Sequence, residues 1–136
     1  MPYWRLFYHI VWATKDRLPL IETAWESDLY GYIRGKATAL ECIPHAIGGV
    51  PDHVHIVISI PPKLSVATLI GQLKGASSHY VNENYADGSF AWQTEYGVLS
   101  FSEKSLLSIV AYVNKQKQHH PDNTLNDEMV NSLGGA

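Results

Sequence analysis

Residues 52–60 (DHVHIVISI) show a clear period-two alternation. In an extended chain, successive side chains point to opposite faces. Val54, Ile56, Ile58 and Ile60 therefore share one side, and His53, His55, Val57 and Ser59 share the other. A helix would scatter the four apolar residues around its circumference, so the segment reads as a strand with one face in a core. Pro51-Asp52 before it reads as a tight turn, and Pro61-Pro62 ends it. A chain built on such a strand needs a sheet, a covered apolar face and something to meet two imidazoles on the other face.

The neighbouring segments supply the sheet. Residues 4–14 (WRLFYHIVWAT) are aromatic and β-branched and apolar on both faces, which predicts a central strand. Residues 22–41 turn helical, with Trp25, Leu29, Tyr32, Ile33, Lys36 and Leu40 along one side and Glu22 and Glu26 at the start, where the helix dipole favours negative charge. Residues 43–50 read as a second strand, with Gly48-Gly49 as a bend or bulge. Residues 64–84 read as a second helix with Ser65 as N-cap. Residues 90–101 should hold a fourth strand with Gly97 near its middle. A third helix opens at Ser102-Glu103 and ends near His120-Pro121, with Leu106, Ile109, Val110 and Val113 as its apolar stripe.

The order β-α-β-β-α-β-α spells an α+β, ferredoxin-like antiparallel sheet covered on one face by two helices. The additional C-terminal helix, which carries Tyr112, is free to lie across the open face on the side of His53 and His55. At 136 residues this is one domain, expected over residues 1–121, with residues 122–136 as a short polar tail. Cys42 is the single cysteine, which excludes an internal disulfide and reads as a buried small hydrophobe. Residues 1–5 lack a signal-peptide layout and residues 54–62 are too short to span a bilayer. A cytoplasmic protein without a membrane partner is expected. The net charge of −3 means that any nucleic-acid binding must rest on a local site.

Two pairs of residues carry candidate chemistry. His53 and His55, two apart on a strand, project about 6–7 Å apart from one face. They can converge on a metal ion if a third group caps them, or they are two polar residues on a half-solvated strand. Tyr112 and Gln116, four apart, share a helix face. Tyr112 is either a nucleophile with an ion-ligating amide one turn on, or a tyrosine burying its ring and wetting its hydroxyl. Two imidazoles and one amide would leave an ion's charge unneutralised, which suits an anionic phosphodiester. Lys115 and Lys117 flank Gln116, and Lys74 lies close to Ser77 and Ser78. These read either as DNA-phosphate contacts or as ordinary helix surface. Trp92 and Tyr96 can stack on bases or belong to the core.

Taken in order, Gly48-Gly49-Val50-Pro51-Asp52-His53-Val54-His55, Pro61-Pro62, Lys74-Gly75-Ala76-Ser77-Ser78, Phe90-Ala91-Trp92-Gln93, Tyr96-Gly97, Tyr112-Val113-Asn114-Lys115-Gln116 and His119-His120 resemble the single-tyrosine HUH transposases. These are the insertion-sequence transposases of the IS two-hundred-like type and their REP-associated relatives. The opening Val11-Trp12-Ala13-Thr14-Lys15 and Arg17-Leu18-Pro19-Leu20-Ile21 match as well. The resemblance implies the ferredoxin-like core. It also implies a Mg²⁺ or Mn²⁺ site at His53, His55 and Gln116, and Tyr112 as nucleophile. The implied activity is nicking and rejoining of hairpin-bearing single-stranded DNA through a 5′-phosphotyrosine, by a homodimer and without a nucleotide cofactor. The short tail and the charge of −3 depart from the family pattern. Two rivals stand beside this reading: a host-adopted nuclease that processes repeated palindromes, and a catalytically silent single-stranded nucleic-acid-binding module.

Overall fold

The computed structural model describes residues 3–116. Lys117, His119-His120, the expected end of the third helix and the tail at 122–136 lie outside the described residues. The elements run β1 (Phe7–Ala13), α1 (Glu26–Ala39), β2 (Ile43–Val50), β3 (His53–Ser59), α2 (Val66–Val81), β4 (Gly97–Phe101) and α3 (Leu106–Asn114). The strands form one antiparallel sheet in the order β2-β3-β1-β4, so the alternating strand β3 and the apolar strand β1 are central and β2 and β4 are the edges. This is the ferredoxin-like α+β arrangement expected from the element order.

The two faces of β1 and β3 go to different layers. Ile10, Trp12, Val54, Ile56 and Ile58 face α1 and α2 and join Leu29, Ile33, Leu69 and Leu73 in the main core. On the opposite face α3 lies over β2 and β3, where Val113 packs on Ala46 and Val57 with Leu106, Ile109 and Val110 around it. The predicted apolar stripe of the third helix is thus the contact surface. Ser65 caps α2, its hydroxyl accepting from Thr68 N–H at 3.0 Å. Among the described residues no helix is long and apolar enough to cross a membrane.

The fourth strand is shorter than expected and begins at Gly97. Phe90 is buried in the main core, and its backbone is satisfied by a side chain instead of a strand partner. Asn82 donates to Phe90 O at 2.9 Å and accepts from Phe90 N–H at 2.9 Å. The first helix starts four residues later than expected, at Glu26, with Trp25 as its N-cap. The third helix closes at Lys115, whose N–H reaches the carbonyls of Ala111 and Tyr112. Gln116 lies one residue beyond this cap, not on the same regular turn sequence as Tyr112.

Candidate active site

The histidine pair is interior. The alternative of two polar residues on a half-solvated strand fails because α3 covers that face: His53 is 1% and His55 0% exposed. Burying an imidazole is costly unless its nitrogens are engaged. His53 Nδ1–H donates to Asp52 Oδ1 at 2.7 Å, and the other carboxylate oxygen, Oδ2, takes Arg17 at 3.1 Å. The hydrogen bond with His53 holds the Asp52 carboxyl below its ordinary range, against the opposing effect of burial and with Arg17 adding to it. His55 Nδ1 lies 2.9 Å from Nε2 of His9 on β1. His9 is itself buried, which pushes its pKa down to about 4 and keeps the ring neutral near neutral pH.

Tyr112 arrives from above. Its ring stands edge-on to His55, with centroids 5.9 Å apart at 79°, while the His53 and His55 rings lie 5.0 Å apart. Its hydroxyl oxygen is buried rather than wetted. The close seat of α3 depends on Gly48. A Cβ at this position would stand 2.3 Å from Val113 O, so no larger residue lets the helix backbone approach. Gly48 is also the register partner of His55 on β3.

Gln116 lies in a neighbouring cavity over Gly48 and Gly49. It is 2% exposed, and neither atom of its amide has a hydrogen-bond partner among the described residues. It lines a cavity of about 280 Å³ with Glu26, Tyr30, Gly48, Gly49 and Lys115. Gly48 and Gly49 are the cross-strand partners of His55 and Val54, so Gln116 lies over the strand next to the histidines. Among the described residues no three His, Cys, Asp or Glu side chains converge as a metal cluster. A third donor drawn from the described residues would be of another type. A buried, unpartnered amide fits that need, because its carbonyl oxygen suits a hard divalent cation.

The remaining candidates fall elsewhere. Lys74 and Ser78 line a second cavity of about 450 Å³ together with Trp92, Gln93 and Tyr96. There the Lys74 ammonium donates to the carbonyls of Gln93 and Glu95, and burial lowers its pKa against the charge of Glu95. Ser77 is corrected: it is fully buried, accepts from Trp92 Nε1 at 2.9 Å and donates to Lys74 O at 3.2 Å. It holds the loop to α2 and offers no surface to a DNA strand. Lys115 is exposed beside Gln116. Trp92 packs edge-on against Trp12 and Phe90, so it belongs largely to the core.

His9, Tyr30 and the placing of Glu26 at this cavity escaped the sequence reading. His9 sits in a strand apolar on both faces, so no alternation marked its side. Its pairing with His55 follows from the β1–β3 register. Glu26 and Tyr30 reach the Gln116 cavity from α1. Burial, then the adjacent Glu26 carboxylate, pushes the Tyr30 hydroxyl far above its ordinary pKa.

The chain resembles known proteins in sequence and in fold. The chain is 28% identical over 121 residues to the ISDra2 transposase TnpA of Deinococcus radiodurans, covering 83% of this chain and 85% of that protein. It is 30% identical over 97 residues to the transposase for insertion sequence element IS200 of Salmonella typhimurium, covering 66% of this chain and 59% of that one. A crystal structure of a candidate transposase from D. radiodurans R1 superposes with a TM-score of 0.69 at 27% identity, over 85% of this chain and 95% of the other. A REP-associated tyrosine transposase bound to a REP hairpin shares the fold, with a TM-score of 0.66 at 15% identity over 88% and 74% of the two chains. Residues 2–116 match the family described as "Transposase IS200 like", a span that takes in every strand and helix above. The chain belongs to the IS200-like transposase family.

Proposed function

We propose that this transposase nicks and rejoins single-stranded DNA through a covalent bond between Tyr112 and a 5′ phosphate. The observation that carries the reading is the edge-on seat of the Tyr112 ring against His55 within one chain. His53, His55 and Gln116 would hold a divalent cation, Mg²⁺ or Mn²⁺, which when bound polarises the phosphoryl oxygen of the scissile phosphodiester. The Tyr112 oxygen, once deprotonated, attacks phosphorus. The bond to the 3′ oxygen breaks, and the 3′-hydroxyl leaves with a proton taken from solvent. The phosphoryl ester energy stays in the phosphotyrosine. A 3′-hydroxyl can therefore reverse the step, and no nucleotide cofactor is needed. Lys74, Ser78 and Lys115 are the described groups available to steady DNA phosphates. The REP hairpin held by the structural neighbour supports a hairpin-bearing single strand as substrate.

The test is incubation with a library of hairpin-bearing single strands and Mn²⁺, scored for protein–DNA adducts that survive denaturation. Mn²⁺ should also raise the melting temperature, since it binds the folded chain alone. The double substitution His53→Ala with His55→Ala should start from a lower melting temperature, because both rings are packed, and should lose both the Mn²⁺ response and the adduct. Single-strand retention with no adduct in the wild type would identify a binding module instead.

A homodimer is part of the proposal. On the sheet face opposite α1 and α2, α3 packs on β2 and β3. What stays open is the edge strand β4, with Val98 and Leu99 exposed, and Leu107 on α3, which is 83% exposed. An unpaired apolar edge is a ready template for a second copy. Light scattering at micromolar concentration should give about twice the chain mass of 15.2 kDa, and a mass of one chain throughout would refute the dimer.

A further inference from the structure

We infer that His9 is a positioning residue: its Nε2 accepts a hydrogen bond from His55 Nδ1–H and thereby fixes His55 in the tautomer that presents Nε2 as a lone-pair donor. The inference rests on the metal reading above and adds a residue to it.

The two strands set the contact. His9 on β1 is the register partner of Val57, and His55 on β3 is the partner of Val11, so the histidines are diagonal neighbours on the same sheet face. Their nitrogens are 2.9 Å apart and their ring centroids 5.1 Å apart, and both residues are buried. A neutral imidazole has one donor and one acceptor nitrogen, so a bond between two such rings is polar in one sense or the other. If His9 donates, His55 accepts at Nδ1, carries its proton on Nε2 and has no lone pair there for an ion. If His55 donates, the lone pair at Nε2 is exposed to the site. Only the second sense makes His55 a ligand.

The sister ligand shows the same construction. His53 also spends Nδ1–H on a neighbour, Asp52, which as a carboxylate can only accept. Both histidines are therefore held through Nδ1, one by a carboxylate and one by an imidazole. Partners of this kind orient a ligating histidine and set its tautomer. The cost of keeping His9 in an apolar layer argues the same way. Its strand-mates on this face are Phe7, Val11 and Ala13, and a polar ring among them is a burden on folding unless the bond to His55 is used.

The experiment uses the full chain without DNA. Long-range ¹H–¹⁵N correlation of the metal-free wild type at neutral pH should show His55 protonated at Nδ1, whereas protonation at Nε2 would overturn the inference. Two substitutions then separate positioning from packing. His9→Gln keeps an acceptor near the position of Nε2, and His9→Leu fills the space without one. Mn²⁺ affinity, read by titration calorimetry, should fall roughly 10–100-fold in His9→Leu. In His9→Gln it should stay within about threefold of wild type, and the Nδ1–H form of His55 should persist there. Equal Mn²⁺ affinity in wild type and a folded His9→Leu would overturn the role of His9 alone. No Mn²⁺ binding by the wild type would overturn the metal reading, and this inference with it.

Discussion

Tyr112→Phe is expected to abolish the covalent adduct with single-stranded DNA, a loss of roughly 10³-fold or more in a denaturing-gel assay, since a nucleophile acts as a unit with its site. The substitution removes one oxygen and keeps the ring that packs edge-on to His55. Because that oxygen is buried, the change should cost about 1 kcal/mol of stability in denaturant titrations. Mn²⁺ binding and retention of single strands should persist. No 3′-hydroxyl end should appear. Cleavage at the wild-type rate would move the nucleophile elsewhere. A plain nick with no protein attached would then point to water as the attacking group.

The second large effect is expected at a residue with no side chain. Gly48→Ala forces a methyl group to within 2.3 Å of Val113 O, a backbone atom that cannot step aside as a flexible side chain can. The helix α3 must lift from β2, and overpacking of this kind costs about 1–3 kcal/mol. Lifting α3 also withdraws Tyr112 from His55. A shift of about 1 Å at a reacting group costs on the order of 10²-fold in rate, so adduct formation should fall far more than stability alone accounts for. Gly35→Ala on α1 is the matched control. A Cβ there meets nothing within 4 Å, and the exchange should stabilise the helix by roughly 0.5–1 kcal/mol with adduct formation unchanged. If Gly48→Ala matches wild type in denaturation and in adduct yield, α3 is not seated as described.

Much of the architecture was legible because it rests on local periodicity. The alternation through His53–Ser59 placed the histidines opposite the Val/Ile face, and the spacing of Leu106, Ile109, Val110 and Val113 marked the underside of α3. The ordered motifs pointed to the family that the comparisons then showed. What could not be read depends on distance through space. That α3 seals its face, and so makes His53 and His55 interior, follows from its docking over Gly48. Ser77 looked like a small surface residue beside Lys74, and only the position of Trp92 turns it into a buried acceptor. Phe90 and Trp92 have strand-like composition, yet the side chain of Asn82 stands in for a strand partner at Phe90, and Trp92 keeps only an isolated bridge to Thr14. His9 was invisible for the plainest reason: the register of β1 on β3 is a property of the pair and of neither segment.

The site is divided between unequal parts of the fold. His53 and His55 stand on β3, whose backbone is bonded to β2 on one side and β1 on the other. Amide protons of such a strand exchange with solvent when the whole domain unfolds. Tyr112 rides on nine residues of α3, of which Val113 alone is buried, so its amides should exchange through a local opening at lower free energy. Such an opening would release Tyr112 while the imidazole frame stays intact. If Tyr112 and the histidines act together as proposed, the free energy of that opening, not the stability of the domain, would set how often a strand of DNA finds the two halves together.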